Sequence, residues 1–366
     1  MTFRLTMLPA KDGDCLLLTW GRSTELHHLI VDLGREGTYR AVKDRLVGLS
    51  NIELFVMSHI DADHIAGAVP LVKEAAAPFA PARVWYNARP QLQAAHHRQS
   101  VLEAFGARQG EKLARGIVNF GWPWNAEFAS EIVSVDSPEA QEPISLPGGL
   151  TIRLLSPRDE DLVALIPVWD GELEKEGLRS FDPDRDDDPL SDEFEPFGGA
   201  PEVESLAEAS YQRDKTKPNG TSIAFIAEFE GKRVLLAADA HSEVLEAALR
   251  PLAEAEGGTY RVDLLKVSHH GSKANTSKDF PRLIDCIRFA ISTDGSRHHH
   301  PDAALISRFL AADPARPKKF YFNYRQDSTD IWDSAALRGV WNYEVEYPSD
   351  DEDHAMNGTL TIDLFS

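Results

Sequence analysis

Apolar and polar positions alternate at period two in the first runs of the chain, before any helical spacing begins. Phe3–Leu8, Cys15–Trp20 and His27–Leu33 are β-rich stretches, parted by the turn-forming Lys11-Asp-Gly-Asp14 and Gly21-Arg-Ser-Thr24. The pattern predicts a meander of strands. Tyr39–Leu49 then sets Val42, Leu46, Val47 and Leu49 at helical intervals. Glu53-Leu-Phe-Val-Met57 reads as a short buried strand, and 65–77, rich in Ala, Val and Leu, as a helix. The strand Arg83–Asn87 and a helix over about 90–116, carrying His96 and His97 on its solvated side, continue the alternation. Aromatic residues at Phe120-Gly-Trp-Pro-Trp124 are read as packing groups. Strand character returns at Thr151–Leu155, at a hairpin formed by Thr221–Phe229 and Arg233–Asp239, and at Val262–Val267 and Phe289–Thr293. A helix over about 243–256 separates two of these. Phe320–Tyr324, Asn342–Tyr347 and Thr359–Leu364 read as strands that complete or cover a sheet, with an acidic turn at Ser349–Asp353.

The chemistry collects where these strands end. In His59-Ile-Asp-Ala-Asp-His64, four potential metal ligands fall within six residues, between a buried strand and a helix. A strand end holds converging side chains rigidly, and a loop leaves room for a substrate. Singly, His59 reads as a strand-end histidine, and Asp61 and Asp63 as turn or helix-capping residues. Together, two carboxylates and two imidazoles at this spacing repel or desolvate one another unless a cation joins them. Further strand-end candidates are Asp32, Asn219, Asp239, the Ser268-His-His-Gly-Ser272 segment and His298-His-His300.

Composition narrows the setting. A chain of 366 residues can bury a large core as one elaborated domain or two smaller ones. Its formal charge of -21 argues against broad affinity for nucleic acid, which relies on Lys and Arg neutralising phosphates, and leaves room only for a localised basic groove. Cys15 in a strand and Cys286 in a helical stretch are expected to be buried core residues, in keeping with a reducing cytoplasm. With no basic region followed by an apolar run at the N-terminus, and no stretch near the roughly 18 apolar residues that span a bilayer, a soluble cytoplasmic protein without membrane contact is expected. Residues 181–196 hold eight acids against one Arg. That composition predicts a solvated, mobile loop, with a protein partner as one use for it.

Taken in order, these strand-end residues resemble the metallo-β-lactamase superfamily. Within it, the segments Asn219-Gly-Thr-Ser222, Leu235-Leu-Ala-Ala-Asp239, Leu265-Lys-Val-Ser-His-His-Gly-Ser272 and His300-Pro301 are most similar to the hydrolase domain of competence-type DNA-uptake proteins and to bacterial phosphorylcholine esterases. The resemblance implies an α/β fold, a four-layer αββα sandwich of two packed mixed β-sheets with outer helices. One domain would span 1–366, with an insertion at about 90–218 and a β-rich C-terminal extension at about 315–366. It further implies that His59 and Asp61 belong to one metal and Asp63 and His64 to the other, that Asp239 bridges them, and that His269 completes the set. Asp61 stands where the wider superfamily has histidine, a change shared by this branch. Where many members place a histidine ahead of the hairpin, this chain offers Asn219, a neutral and weaker ligand, or a folded-back His96 or His97.

Two divalent ions about 3.5–4 Å apart can share a hydroxide, activate it near neutral pH and stabilise a phosphoryl oxygen. Zn2+ suits mixed imidazole and carboxylate ligation, and Mn2+ the carboxylate share. Asp63 and His300 are read as the catalytic pair, with His300 giving a proton to the leaving oxygen. His270, Gly271, Ser272 and Asn219 are read as substrate contacts, and Asp32 either orients a histidine or is a plain turn residue. Lys266 and Lys273 are read as surface lysines by default, with a part in neutralising phosphate as the alternative. The expected function is a metal-dependent hydrolase of phosphodiester bonds, acting on nucleic acid, nucleotide or a smaller phosphodiester. The alternatives are hydrolysis of an acyl bond in a lactone, thioester or β-lactam, or a metal-clipped interaction module without turnover.

Overall fold

Phe3, Leu5 and Met7 of strand β1 (Thr2–Met7) share one face with Leu16, Leu18 and Trp20 of β2 (Leu16–Arg22), because the two strands pair antiparallel with Leu5 opposite Leu18. The intervening Leu17 points the other way, so both faces of this sheet are apolar and both must be covered. In this computed structural model, which describes residues 1–99, 108–176, 200–349 and 357–366 (backbone only at 97–99, 108–109 and 170–176), both are. The acidic stretch 181–196 and all but the first residue of the 349–353 turn lie outside the described residues.

The chain continues through β3 (Glu25–Val31), β4 (Ile52–Val56), β5 (Val84–Trp85), β6 (Ile144–Ser145), β7 (Thr151–Ser156), β8 (Ala224–Phe229) and β9 (Lys232–Leu236). Then follow β10 (Tyr260–Arg261), β11 (Leu264–Lys266), β12 (Ile284–Asp285), β13 (Arg288–Ile291), β14 (Lys318–Phe322), β15 (Tyr343–Glu346) and β16 (Leu360–Asp363). One sheet runs β16-β1-β2-β3-β4-β5, and the other β15-β14-β13-β11-β9-β8-β7-β6. Both are mixed. The strands β3, β4 and β5 are parallel, as are β9, β11, β13, β14 and β15, while the rest of each sheet is antiparallel.

The sheets pack face to face. Leu5, Leu18, Leu29 and Val56 of the first share a core with Phe225, Val234, Leu236 and Leu264 of the second. Outside the first sheet lie Tyr39, Val42 and Leu46 of the helix Glu36–Val47, with Leu113 and Ile117 of the helix Arg108–Phe120. Outside the second lie Leu245 and Leu249 of the helix Ser242–Ala255, with Leu305 and Phe309 of the helix Ala303–Ala312. The result is a four-layer αββα sandwich, the architecture expected from the sequence. Among the described residues, no helix is long and apolar enough to cross a membrane.

Local departures have local causes. The helix expected over 65–77 is two single turns, Ala62–Ile65 and Ala68–Leu71. Gly67 between them presses on Leu33, whose carbonyl oxygen would lie 2.1 Å from a Cβ there, and its N–H donates to Gly34 O. Contact with the neighbouring strand end overrides propensity. The helix expected over 90–116 is described as Arg89–Gln99 and Arg108–Phe120. Cys286 lies in the link between β12 and β13, not in a helix, because the preceding Ile284 and Asp285 pair with Tyr260 and Arg261. Both cysteines are buried and free, as expected. The stretch 90–218 supplies β6 and β7 to the second sheet, and 315–366 supplies β14 and β15 to it and β16 to the first.

Candidate metal centre

The parallel strands of both sheets deliver the site at their C-terminal ends, where loops of an α/β sheet are free to diverge. Asp32 follows β3, Ser58 and His59 follow β4, Asp239 follows β9, His269 and His270 follow β11, and Ser292 follows β13. Asp32, Ala238, His269 and His270 all adopt positive φ, between 46° and 60°, a conformation that L side chains with a Cβ enter at a cost. Such residues persist where surrounding bonds over-determine them, and functional sites are where they gather.

Each histidine is oriented by what its Nδ1 touches. His64 Nδ1 lies 2.8 Å from Asp32 Oδ2, and His270 Nδ1 lies 2.9 Å from the carbonyl oxygen of Ser292. His269 Nδ1 lies 2.9 Å from Asn275 Oδ1. His59 Nδ1 lies 3.0 Å from Ser58 Oγ, a hydroxyl that donates its own proton to Asp32 and so accepts from the ring. Carbonyl and carboxylate oxygens only accept, so each of these contacts fixes the proton on Nδ1 and leaves a lone pair on Nε2.

Those lone pairs converge. His64 Nε2 is 3.2 Å from His270 Nε2 and 3.3 Å from Asp239 Oδ2. Asp63 Oδ2 is 3.3 Å from His270 Nε2 and 3.8 Å from His64 Nε2. His59 Nε2 stands 3.5 Å from Asp61 Oδ2 and 3.9 Å from Asp239 Oδ2, and His269 Nε2 stands 3.8 Å from the same oxygen. Two groups of three, His59, His64 and Asp239, and Asp63, His64 and His270, are each close enough to hold one ion. His59 Nε2 and Asp239 Oδ1 are buried without a hydrogen-bond partner among the described residues. Orphaned acceptors in a buried site fit a divalent cation, or protons in its place.

The electrostatics agree. Burial opposes ionisation of Asp63 and Asp239, yet the imidazoles of His64 and His270 hold both carboxyls below the usual carboxylate range. Burial likewise opposes charge on His64, and Asp239, Asp63 and Asp32 override it and push that ring well up. Such a site holds protons where it lacks a cation, so cation and proton compete for it.

Asp32 is wholly buried, and besides His64 it accepts from the backbone N–H of Ser58 at 2.7 Å and from its hydroxyl at 2.6 Å. Its Oδ2 is thus shared between the His64 ring and the Ser58 hydroxyl. Asp61 sits at the rim, its side chain 39% exposed. His270, expected to face substrate, instead joins the inner cluster, while Gly271 packs on Pro301, whose Cβ would lie 2.6 Å from a Cβ there. Ser272 Oγ accepts from the N–H of Ala274. Asn219 donates to Asp214 Oδ2 at 2.7 Å, and its own Oδ1 is buried without a partner. His96 belongs to neither group of potential ligands, and the side chain of His97 is outside the described residues. His300 stacks edge-on with His269 at 5.5 Å between ring centroids, its Nδ1 3.6 Å from Asp302.

Lys266 corrects the sequence reading outright: it is fully buried, with Nζ 2.7 Å from Asp14 Oδ2, because it lies on the same face of β11 as Leu264, the face of the second sheet that packs against the first. Asp214, which accepts from Asn219 and Asn275 beside His269, carried no signal in its Arg-Asp-Lys-Thr-Lys surroundings. His270 did carry one, since two adjacent histidines at a strand end need not divide into ligand and substrate contact.

No protein-family model and no curated protein matches this chain. Among solved structures it is similar to a mutant of CmlA beta-hydroxylase, at 13% identity and a TM-score of 0.37, over 99% of this chain and 54% of that one. It is also similar to zinc-bound PqqB from Methylobacterium extorquens, at 10% identity and a TM-score of 0.38, over 98% and 99%. The chain therefore spans about half the length of the hydroxylase, and likenesses at these scores carry no argument about its chemistry.

Proposed function

We propose that this protein is a binuclear metal-dependent hydrolase of phosphodiester bonds. The observation that carries the metal is the fixed tautomer of four histidines, whose Nε2 lone pairs are turned toward the carboxylates of Asp63 and Asp239. His59, Asp61 and His269 would hold one ion, and Asp63, His64 and His270 the other, with the Asp239 carboxylate available to both. Asn219, with an unsatisfied carbonyl oxygen nearby, takes the place of a missing histidine. Zn2+ suits this donor set, and Mn2+ is the alternative. When bound, the pair supplies a nucleophile from water at neutral pH and stabilises charge on the attacked and leaving oxygens.

The protein's own residues do the rest. Asp32 holds His64 in the ligating tautomer. Burial, with the neighbouring His269, His298 and His270 adding to it, holds the His300 imidazole well below its ordinary value. A neutral His300 acts on the leaving oxygen as a hydrogen-bond donor from a ring N–H. The preference for phosphodiesters is supported by the His269-His-Gly-Ser272 and Asn219-Gly-Thr-Ser222 segments, which resemble the phosphodiester-cleaving branch.

The test is metal analysis of natively purified protein joined to a turnover panel of DNA, RNA, cyclic and linear dinucleotides, and bis-p-nitrophenyl phosphate, set against a lactone, a thioester and a β-lactam, with His64→Ala as control. Metal-dependent turnover of phosphodiesters that His64→Ala abolishes is the expected result. Turnover confined to the acyl compounds would replace the substrate class, and bound metal without any turnover would leave a metal-clipped module.

A further inference from the structure

The Lys11–Asp14 turn between β1 and β2 reaches across the gap between the two sheets and touches the metal centre at three points. The N–H of Asp14 donates to the carbonyl oxygen of Asp63 at 3.3 Å. Gly13 presses so closely on that carbonyl that a Cβ would lie 1.8 Å from its oxygen. The carbonyl oxygen of Gly13 accepts from Ser292 Oγ, and it is the carbonyl of Ser292 that receives the Nδ1 proton of His270. Asp14 Oδ1 itself lies 3.8 Å from His270 Nδ1.

What pins the turn is an ion pair with no access to water. Lys266 is 0% exposed and Asp14 1%, their charged atoms 2.7 Å apart, and Lys266 Nζ donates a hydrogen bond to Val267 O. Burying two charges costs solvation that their attraction barely offsets, and apolar pairs of similar volume commonly serve stability as well or better. Stability therefore does not explain why this pair lies under the site. Its location does: an anion beside the Nδ1–H of a ligating imidazole makes Nε2 a stronger donor and fixes the ring.

We propose that Asp14, clamped by Lys266, is a positioning residue that sets the orientation and donor strength of His270 and thereby the cation affinity of the centre. This rests on the metal-centre reading above. It predicts a divergence that a scaffold role does not. Asp14→Asn leaves the ammonium of Lys266 uncompensated beside the centre, whereas Lys266→Met leaves the carboxylate of Asp14. Both lose stability. Only the first should lose metal.

The experiment is a chelator competition with Zn2+ on the full chain, alongside urea unfolding of the metal-free protein, for wild type, Asp14→Asn, Lys266→Met and the double variant Asp14→Leu/Lys266→Met. Asp14→Asn should raise the Zn2+ dissociation constant by about 10-fold or more, the range seen when a ligand's supporting partner is removed. Lys266→Met should hold it at the wild-type value or tighten it. The double variant should regain stability in urea while its Zn2+ affinity stays at least about 10-fold weaker. If both single variants lose affinity in step with stability, or if the double variant regains both, Asp14 is scaffold and the proposal falls while the metal centre stands. If wild type holds no Zn2+ or Mn2+, both readings fall together.

Discussion

His64 and His270 bring their Nε2 atoms within 3.2 Å of each other, though the residues stand 206 positions apart in the chain and follow strands, β4 and β11, of different sheets. With the Nδ1 protons committed to Asp32 and to Ser292, two lone pairs face each other in a buried site. A proton shared between the rings, or a cation, must sit there. The two sheets are thus joined at this edge through whatever positive charge the site holds.

Metal removal should therefore loosen the whole sandwich and not only one loop. A ligand that binds the folded chain alone adds about 4 kcal/mol when its free concentration exceeds Kd a thousand-fold. Thermal unfolding followed with and without a chelator should show a lowered Tm for the stripped protein and recovery on adding Zn2+ or Mn2+. An unchanged Tm in protein shown to carry metal would mean that the ions do not tie the sheets together.

Asp32→Asn is the sharpest single change at the centre. The carboxylate accepts three hydrogen bonds in full burial, and an amide in its place turns an NH2 group either toward the Nδ1–H of His64 and the hydroxyl of Ser58 or toward the backbone N–H of Ser58. Losing a hydrogen bond to a charged group and leaving a donor unsatisfied costs about 2–3 kcal/mol. Metal affinity should fall about 10- to 100-fold as the ring loses its anchor. Urea unfolding and chelator competition measure the two effects separately, and an effect on stability alone would return Asp32 to the role of a turn residue.

The reach of the sequence is seen in these same residues. The cluster His59–His64 announced itself because four ligands within six positions have no common structural use, and Asp239 because an acid ending an apolar strand is conspicuous. The period-two burial of Phe3, Leu5 and Met7 gave the strands for the same reason, since local pattern and tertiary role coincide. Lys266 and Asp14 were illegible: a lysine in the pattern of a strand end looks like a surface charge, and only the approach of the other sheet buries it. The broken helix at 62–71 belongs to the same class, being decided by Leu33 and Gly34 on a neighbouring strand end. What rests on the partner across a gap cannot be read from the residue alone.

Gly13→Ala and Gly37→Ala should move stability in opposite directions. At Gly13 the new methyl would meet the carbonyl of Asp63 at 1.8 Å, and backbone has to yield. Such overpacking costs about 1–3 kcal/mol, and because the yielding segment carries Asp63 the variant should also bind metal less tightly. At Gly37, within the helix Glu36–Val47, nothing lies within 4 Å of the added Cβ. There the lost backbone freedom of the unfolded chain should stabilise by up to about 1 kcal/mol. Urea midpoints of the two variants test the contrast, and a harmless Gly13→Ala would show that the turn is not pressed against the metal loop.

A pH effect should arise well away from the metal centre, at His28 on β3. The ring is buried beside Thr19, its strand partner, with Oγ1 3.0 Å from Nδ1. Burial first, and then the charges of Arg4 and His27, push it from 6.5 down to about 4. Between those values the unfolded chain carries a proton that the folded chain refuses, so acidification favours unfolding. His28 thus contributes no penalty above about pH 6.5, a growing one as the pH falls toward 4, and a constant one below that. Replacing it by Gln removes the titration and keeps a side chain able to bond Thr19. Urea unfolding from pH 7.5 to 4.5 should then show wild type losing stability faster than His28→Gln, with the difference in slope approaching one proton, about 1.4 kcal/mol per pH unit, in the middle of the window. Parallel curves for the two proteins would mean that the folded chain protonates His28 as readily as the unfolded one, and that the pocket between β2 and β3 admits water to the ring.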